Sequence, residues 1–190
     1  GLWANAAPGR RHLVAGVELA DSWATDGHKW LNTPYDCGVV AVTDPTALES
    51  SMAMNAAYAG GDGGRSPMNL GLQMSQGARA IPLWAILATL GRAGVADAIE
   101  RCCRHAERMA GELAVAGAEV LCPPALNQVL VAFGGDDQTD AVIDRLQSGG
   151  EAWMGGTNWH GRRAMRISVS DTSTTGTDID RAIAAVLAAR

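Results

Sequence analysis

The sequence has little of what marks a metal site or a disulfide framework. Its four cysteines form no C-x-x-C pair, and its four histidines are scattered without the spacing of metal ligands. We therefore predict no metal site. Cys102 and Cys103 are adjacent within a helical pattern and point to different faces, so free thiols in a reducing compartment are expected.

Positive charge and long apolar runs are also scarce. The net charge of −5 leaves no basic footprint, so neither nucleic acid nor an anionic membrane surface is an expected partner. No run of 18 uncharged apolar residues appears, and the start does not resemble a signal peptide. With 47% apolar residues in 190, the chain is expected to be a cytoplasmic globular protein of one domain or two small ones.

Reactive side chains are concentrated between residues 21 and 38, just before the apolar run 39–42. This pattern predicts a loop held against a buried strand, which is where reactive side chains often lie. Lys29 is flanked there by His28, Trp30 and Leu31, and partial desolvation would favour a neutral amine that attacks a carbonyl. The alternative is a surface lysine whose stem lies over Trp30.

The order of these residues resembles a known family. Ala-Asp-Ser at 20–22, Asp-x-His-Lys-Trp at 26–30 and Pro-Tyr-Asp-Cys-Gly at 34–38 resemble the lysine segment of the pyridoxal-phosphate-dependent group II amino-acid decarboxylases. That family includes aromatic-amino-acid, glutamate and histidine decarboxylases. The resemblance implies an α/β fold of type I, pyridoxal 5'-phosphate as cofactor, an amino-acid substrate, and a homodimer with the active site at the interface.

The resemblance also implies roles for single residues. Lys29 would form an imine with the cofactor, His28 would lie against its phosphate or ring edge, and Asp26 would lie near the phosphate. Tyr58, in a lid supplied by the neighbouring subunit, would donate a proton to the substrate carbon, and Arg166 would bind the substrate α-carboxylate. The alternatives are a structural histidine at 28, a loop anchor at Tyr58, and a surface arginine on an edge strand at 166.

The rest of the chain predicts two parts. Apolar residues at helical spacing run from 80 to 113 and are interrupted by glycines at 91 and 94. A boundary near residue 92 follows, with 1–91 as the C-terminal part of the large cofactor-binding domain and 92–190 as a small α+β domain. Strands are predicted at 129–133, 153–157 and 164–170, where alternation puts Arg166 opposite the core face.

Two further features limit the functional prediction. The chain begins Gly-Leu-Trp without Met, as though entered within a domain, so we expect the C-terminal half of a longer enzyme. Many relatives carry Ser-Arg-Arg-x-Arg before the long helix, where residues 75–79 read Ser-Gln-Gly-Ala-Arg.

We predict decarboxylation of an L-amino acid. The alternatives are another fold-type I enzyme of this cofactor class, an aminotransferase, aldolase or lyase, or a truncated non-catalytic copy.

Overall fold

The computed structural model describes residues 1–53 and 66–190, so Tyr58 and the glycine-rich stretch after it lie outside the described residues. Short 3-10 turns lie at Leu2–Ala6, Arg11–Val14, Val17–Leu19 and Pro67–Asn69. The helices are α1 (Gly27–Trp30), α2 (Pro45–Met52), α3 (Ala80–Val115), α4 (Asp136–Gly149) and α5 (Gly176–Ala188). The strands are β1 (Ser22–Asp26), β2 (Gly38–Val42), β3 (Glu119–Cys122), β4 (Gln128–Ala132), β5 (Gly155–Trp159) and β6 (Arg162–Ser168).

The first two strands form an antiparallel pair that closes the lysine segment into a loop. The register runs from Ser22 opposite Val42 to Asp26 opposite Gly38. A further bond from the Gly27 N–H to the Cys37 carbonyl, 2.8 Å long, extends the pairing past the strand ends. Both ends of the segment that contains α1 are therefore fixed to the same ladder.

The second part of the chain is a four-stranded antiparallel sheet in the order β3-β4-β6-β5. Helices α3 and α4 pack against it, and α5 packs against both helices. The predicted alternation in β4 is confirmed, because Val129, Val131 and Phe133 are all buried. The sequence analysis did not predict β3, a short strand at the edge of the sheet. Its four residues are exposed or partly buried and do not alternate between buried and exposed.

Helix α3 is broken at Gly91, whose φ of 61° and ψ of −174° are non-helical. The predicted interruption is therefore present, and the buried face after it includes Val95, Ile99, Met109 and Leu113, as the spacing indicated. The hydrophobic core is nevertheless continuous across this point. By length and composition alone, α3 is the one helix in the described part of the chain that could cross a membrane.

The last two helices begin at different kinds of cap. The N-cap of α4 is Gly135, and the Asp136 carboxylate accepts from the backbone N–H of Arg163. Helix α5 begins at Gly176, after a capping box formed by Thr175 and Asp178.

Candidate active site

Lys29 lies on α1, the single helical turn that follows β1. Because residues three apart share a helix face, its side chain turns back toward Asp26, and Nζ lies 2.5 Å from Asp26 Oδ2. This bond lowers the pKa of the Asp26 carboxyl, which is therefore ionised at neutral pH. The side chain of Lys29 is 63% exposed, so the partial desolvation expected from His28, Trp30 and Leu31 is wrong for the described residues, and Trp30 is itself buried.

His28 is held more tightly than its neighbour, with only 13% of its side chain exposed. The backbone N–H of Cys37 donates to His28 Nδ1 at 2.9 Å. Nδ1 also lies 3.2 Å from the Cys37 carbonyl oxygen, so the Cys37 backbone fixes the ring at this nitrogen. The ring also contacts Tyr35 at 4.5 Å between centroids. The other ring nitrogen, Nε2, lies on the Asp26 side, 3.9 Å from Asp26 Oδ1.

Gly27 is required by the close packing under α1. A β-carbon at this position would lie 3.1 Å from Cys37 Sγ, 3.1 Å from Thr33 Oγ1 and 3.3 Å from Leu83 Cδ1. These contacts come from the part of the lysine segment that follows α1 and from α3. The sequence analysis gave Gly27 no role, since nothing in the local pattern reveals neighbours brought in by the fold.

We expect Gly27→Val to destabilise the protein by about 1–3 kcal/mol through overpacking. The reason is that the added methyl groups have no space between Cys37 and Leu83. Gly38→Ala is the matched control, because a β-carbon at Gly38 meets nothing within 4 Å. Urea unfolding of the two variants measures the difference. Equal stabilities for both would contradict the packing argument.

Arg79 ties the chain before α3 to the lysine segment. Its Nε donates to Asp36 Oδ1 at 2.8 Å, and this bond lowers the pKa of the Asp36 carboxyl. Its Nη1 donates to the side-chain oxygens of Gln73 and Gln76, each at 3.2 Å. Arg79 matches the last arginine of the Ser-Arg-Arg-x-Arg run, and it supports the lysine segment. Gln76, which stands where that run has an arginine, is one of the hydrogen-bond partners of Arg79. Sequence reasoning noted Arg79 without assigning it this contact.

Arg166 lies on β6, an interior strand of the four-stranded sheet. Its alternation is as predicted: Met165 and Ile167 are buried and Arg166 is exposed on the opposite face. Its neighbours across the ladders are Leu130 and Gly155. A β-carbon at Gly155 would lie 3.4 Å from the Trp153 ring, so the indole covers the space beside Gly155. The alternative of an edge-strand arginine is therefore wrong, since β6 lies between β4 and β5.

A wide cleft near the N-terminal turns does not contain Lys29. It has a volume of about 1110 Å³ and lies between the N-terminal turn, β1 and α3, with Trp3, Trp23, Val39 and Leu87 in its wall. Arg11 and Arg92 contribute its charged groups. The cleft reaches the neighbourhood of the site through Thr25, which precedes Asp26 on β1, and through Trp3, whose indole N–H donates to the Asp26 carbonyl at 3.0 Å. No acid and base face each other there, so the candidate site remains the lysine segment.

Comparison with known proteins decides the family. Residues 4–134, more than half of the chain, match the family described as the pyridoxal-dependent decarboxylase conserved domain. The chain belongs to this family. The predicted resemblance is therefore confirmed, and the matched range contains the whole lysine segment, Lys29 included.

Similar proteins agree with this assignment. Aromatic-L-amino-acid decarboxylase of Drosophila melanogaster is 30% identical over 149 residues, which are 75% of this chain and 29% of that enzyme. Phenylacetaldehyde synthase of a Rosa hybrid cultivar is 26% identical over 188 residues, 88% of this chain and 37% of that enzyme. The chain thus spans roughly a third of the length of these curated relatives.

The solved structures confirm the predicted fold class. The crystal structure of Oryza sativa TDC with PLP and tryptamine superimposes with a TM-score of 0.83 at 25% identity, over 98% of this chain and 42% of that one. The chain accordingly has the fold of part of a fold-type I decarboxylase, α/β with a small α+β portion. The boundary near residue 92, dividing 1–91 from 92–190, stays a prediction.

The side chains of the lysine segment fit pyridoxal phosphate, the cofactor of the family. An exposed primary amine, Lys29, is the group that bonds to an aldehyde, and an imidazole such as that of His28 can donate a hydrogen bond to an anionic phosphate. Asp26 lies against Lys29, and its predicted place near the phosphate stays a prediction. Tyr58 lies outside the described residues.

Proposed function

We propose that the full-length gene product decarboxylates an L-amino acid with bound pyridoxal phosphate. The observation that carries the proposal is the exposed Lys29 amine, presented by α1 within a chain of the pyridoxal-dependent decarboxylase family. Bound, the cofactor supplies an aldehyde that bonds to an amine and a ring that takes up the electrons released as carbon dioxide leaves. The remaining roles belong to the protein's own side chains.

Around Lys29, the protein supplies charge and orientation. Asp26 holds the Lys29 amine by an ion pair, and its carboxylate is a base to which that amine can pass a proton. His28, held at Nδ1 by the Cys37 backbone, would bind an anionic group of the cofactor through its other ring nitrogen, Nε2. Because β1, β2 and the Gly27 bond clamp the segment, these groups keep their arrangement during turnover.

At the substrate, Arg166 binds the α-carboxylate. A guanidinium on an interior strand has a fixed direction, and its planar fork matches a carboxylate in two parallel hydrogen bonds. A carboxylate held in this way would present its bond to the α-carbon in one orientation, which would favour decarboxylation over amino transfer. Tyr58, in the lid that the family resemblance implies, donates the proton that replaces the carboxylate.

We further propose a cytoplasmic homodimer with its active site at the interface. Apolar side chains at the start of α3 support the association, because Ile81 and Trp84 are exposed, Trp84 by 71%. They follow Arg79, which contacts the lysine segment, so a second subunit seated there would lie beside the site. The four free cysteines are those expected of a reducing compartment.

A product analysis separates this function from its rivals. We expect the full-length gene product, incubated with pyridoxal phosphate and a mixture of L-amino acids, to release carbon dioxide and the matching amine in equal amounts. An aldehyde in place of the amine would favour the activity named for the rose relative. Keto acid without carbon dioxide would indicate an aminotransferase, and no product at all would favour a non-catalytic copy.

A further inference from the structure

Asn32 has an unusual backbone conformation three residues after Lys29. Its φ is 52°, in the left-handed region that non-glycine residues seldom adopt and that Asn tolerates better than most. Its N–H donates to the Lys29 carbonyl at 3.3 Å and ends the turn of α1. This conformation leads the chain out of α1 and directs the Asn32 side chain away from the lysine loop.

The Asn32 side chain reaches the C-terminal part of the chain. Its Oδ1 accepts from the backbone N–H of Thr172 at 2.9 Å, a bond between residues 140 positions apart. The carbonyl of Thr172 accepts from Arg101 Nη2 at 2.8 Å, and Arg101 is paired in turn with Asp97 on α3. The Thr172 peptide is therefore held on one side by the lysine segment and on the other by α3.

Thr172 lies four residues after the end of β6, the strand that carries Arg166. Between them, Val169 is bonded twice to Asn127: the Val169 N–H donates to the Asn127 carbonyl at 3.0 Å, and Asn127 Nδ2 donates to the Val169 carbonyl at 2.8 Å. Asn127 is 8% exposed, so water competes little for these bonds. The chain that leaves β6 is therefore held at Val169 and again at Thr172, with two residues between them.

We infer that Asn32 is a positioning residue that sets the place of Arg166 relative to Lys29, and with it the place of the substrate carboxylate. The inference rests on the proposed function, in which both residues act on one substrate. The Asn32 side chain thus connects the segment of Lys29, where the substrate amine reacts, to the strand of Arg166, which binds the substrate carboxylate. Loosening this link should weaken binding of the amino acid and leave binding of the amine product unchanged, since the amine has no carboxylate.

Two substitutions at Asn32 separate the hydrogen bond from the backbone. Asn32→Gly keeps the left-handed conformation without strain and loses the acceptor, whereas Asn32→Asp keeps an acceptor oxygen. In the full-length gene product with pyridoxal phosphate, we expect Asn32→Gly to raise the dissociation constant of the amino acid about three- to tenfold. The constant for the amine should not change, and Asn32→Asp should resemble the wild type in both.

Amide hydrogen exchange in the cofactor-free protein gives a readout independent of activity. Exchange at Thr172 should accelerate in Asn32→Gly and remain slow in Asn32→Asp. Arg101→Met provides a second variant, because it removes the other support of the Thr172 peptide and should reproduce the selective loss, whereas Arg104→Met, at an exposed position one turn away, should not. Arg101→Met and its control Arg104→Met test the inference even if the Asn32→Gly variant does not fold.

The outcomes distinguish this inference from the proposed function. Unchanged amino-acid affinity in Asn32→Gly, or an equal loss for amino acid and amine, would overturn the positioning role. A wild-type protein that binds no cofactor at Lys29 would instead refute the proposed function, and Thr172 exchange would still report whether the hydrogen bond exists.

Discussion

Lys29→Ala should abolish the near-visible absorbance of the lysine-bound cofactor and lower the decarboxylation rate by on the order of 10⁴-fold or more. The effect is large because Lys29 is the one lysine among these 190 residues, so no other lysine side chain of this part of the protein can take its place. Absorbance titration with pyridoxal phosphate and a carbon dioxide assay measure the two consequences in the full-length gene product.

Lys29→Arg is the matched control for charge. It preserves a cation beside Asp26 and therefore the ion pair that the Lys29 amine makes at 2.5 Å. Since a guanidinium does not condense with an aldehyde under these conditions, this variant should lose the absorbance just as Lys29→Ala does while retaining the stability of the fold. Retention of absorbance or turnover in either variant would remove Lys29 from the mechanism.

Arg166→Leu should raise KM for the amino acid by about 10- to 100-fold, because hydrogen bonds to charged groups contribute about 1.5–3 kcal/mol each. Arg166→Lys should recover only part of this loss, since an ammonium does not reproduce the planar fork. The inhibition constant of the amine product should stay near its wild-type value. Steady-state kinetics with both ligands measures the split between carboxylate and amine recognition.

Arg162→Lys is the control on the same strand. Arg162 forms an exposed ion pair with Glu119, and such pairs contribute little to stability. We expect KM to be unchanged in this variant. If Arg166→Leu also left KM unchanged, Arg166 would be a surface arginine on the open face of the sheet and the carboxylate would bind elsewhere.

The sequence predicted those features that depend on local pattern. Alternation placed Arg166 opposite Met165 and Ile167, helical spacing placed Val95 and Ile99 in the core, and the glycines near 91 indicated the break in α3. Each of these rests on the period of a strand or a helix, or on the backbone freedom of glycine. The family resemblance of the lysine segment rests on residue order alone.

The contacts that support the site depend on long-range packing and were not predicted. Asn32 meets Thr172, Arg79 meets Asp36, and Leu83 approaches Gly27, each across a large separation in sequence. The environment of Lys29 was also predicted wrongly, because adjacency to Trp30 in sequence does not mean contact on a helical turn. Neighbours in sequence along α1 lie on different faces, so Lys29 pairs with Asp26.

Reduction by borohydride tests the central claim most directly. Treatment of the full-length gene product with pyridoxal phosphate and borohydride, followed by peptide mapping, should leave the reduced cofactor's mass on the peptide that contains Lys29. A label on another peptide, or a protein that takes up no label, would contradict the assignment of Lys29 as the residue that binds the cofactor.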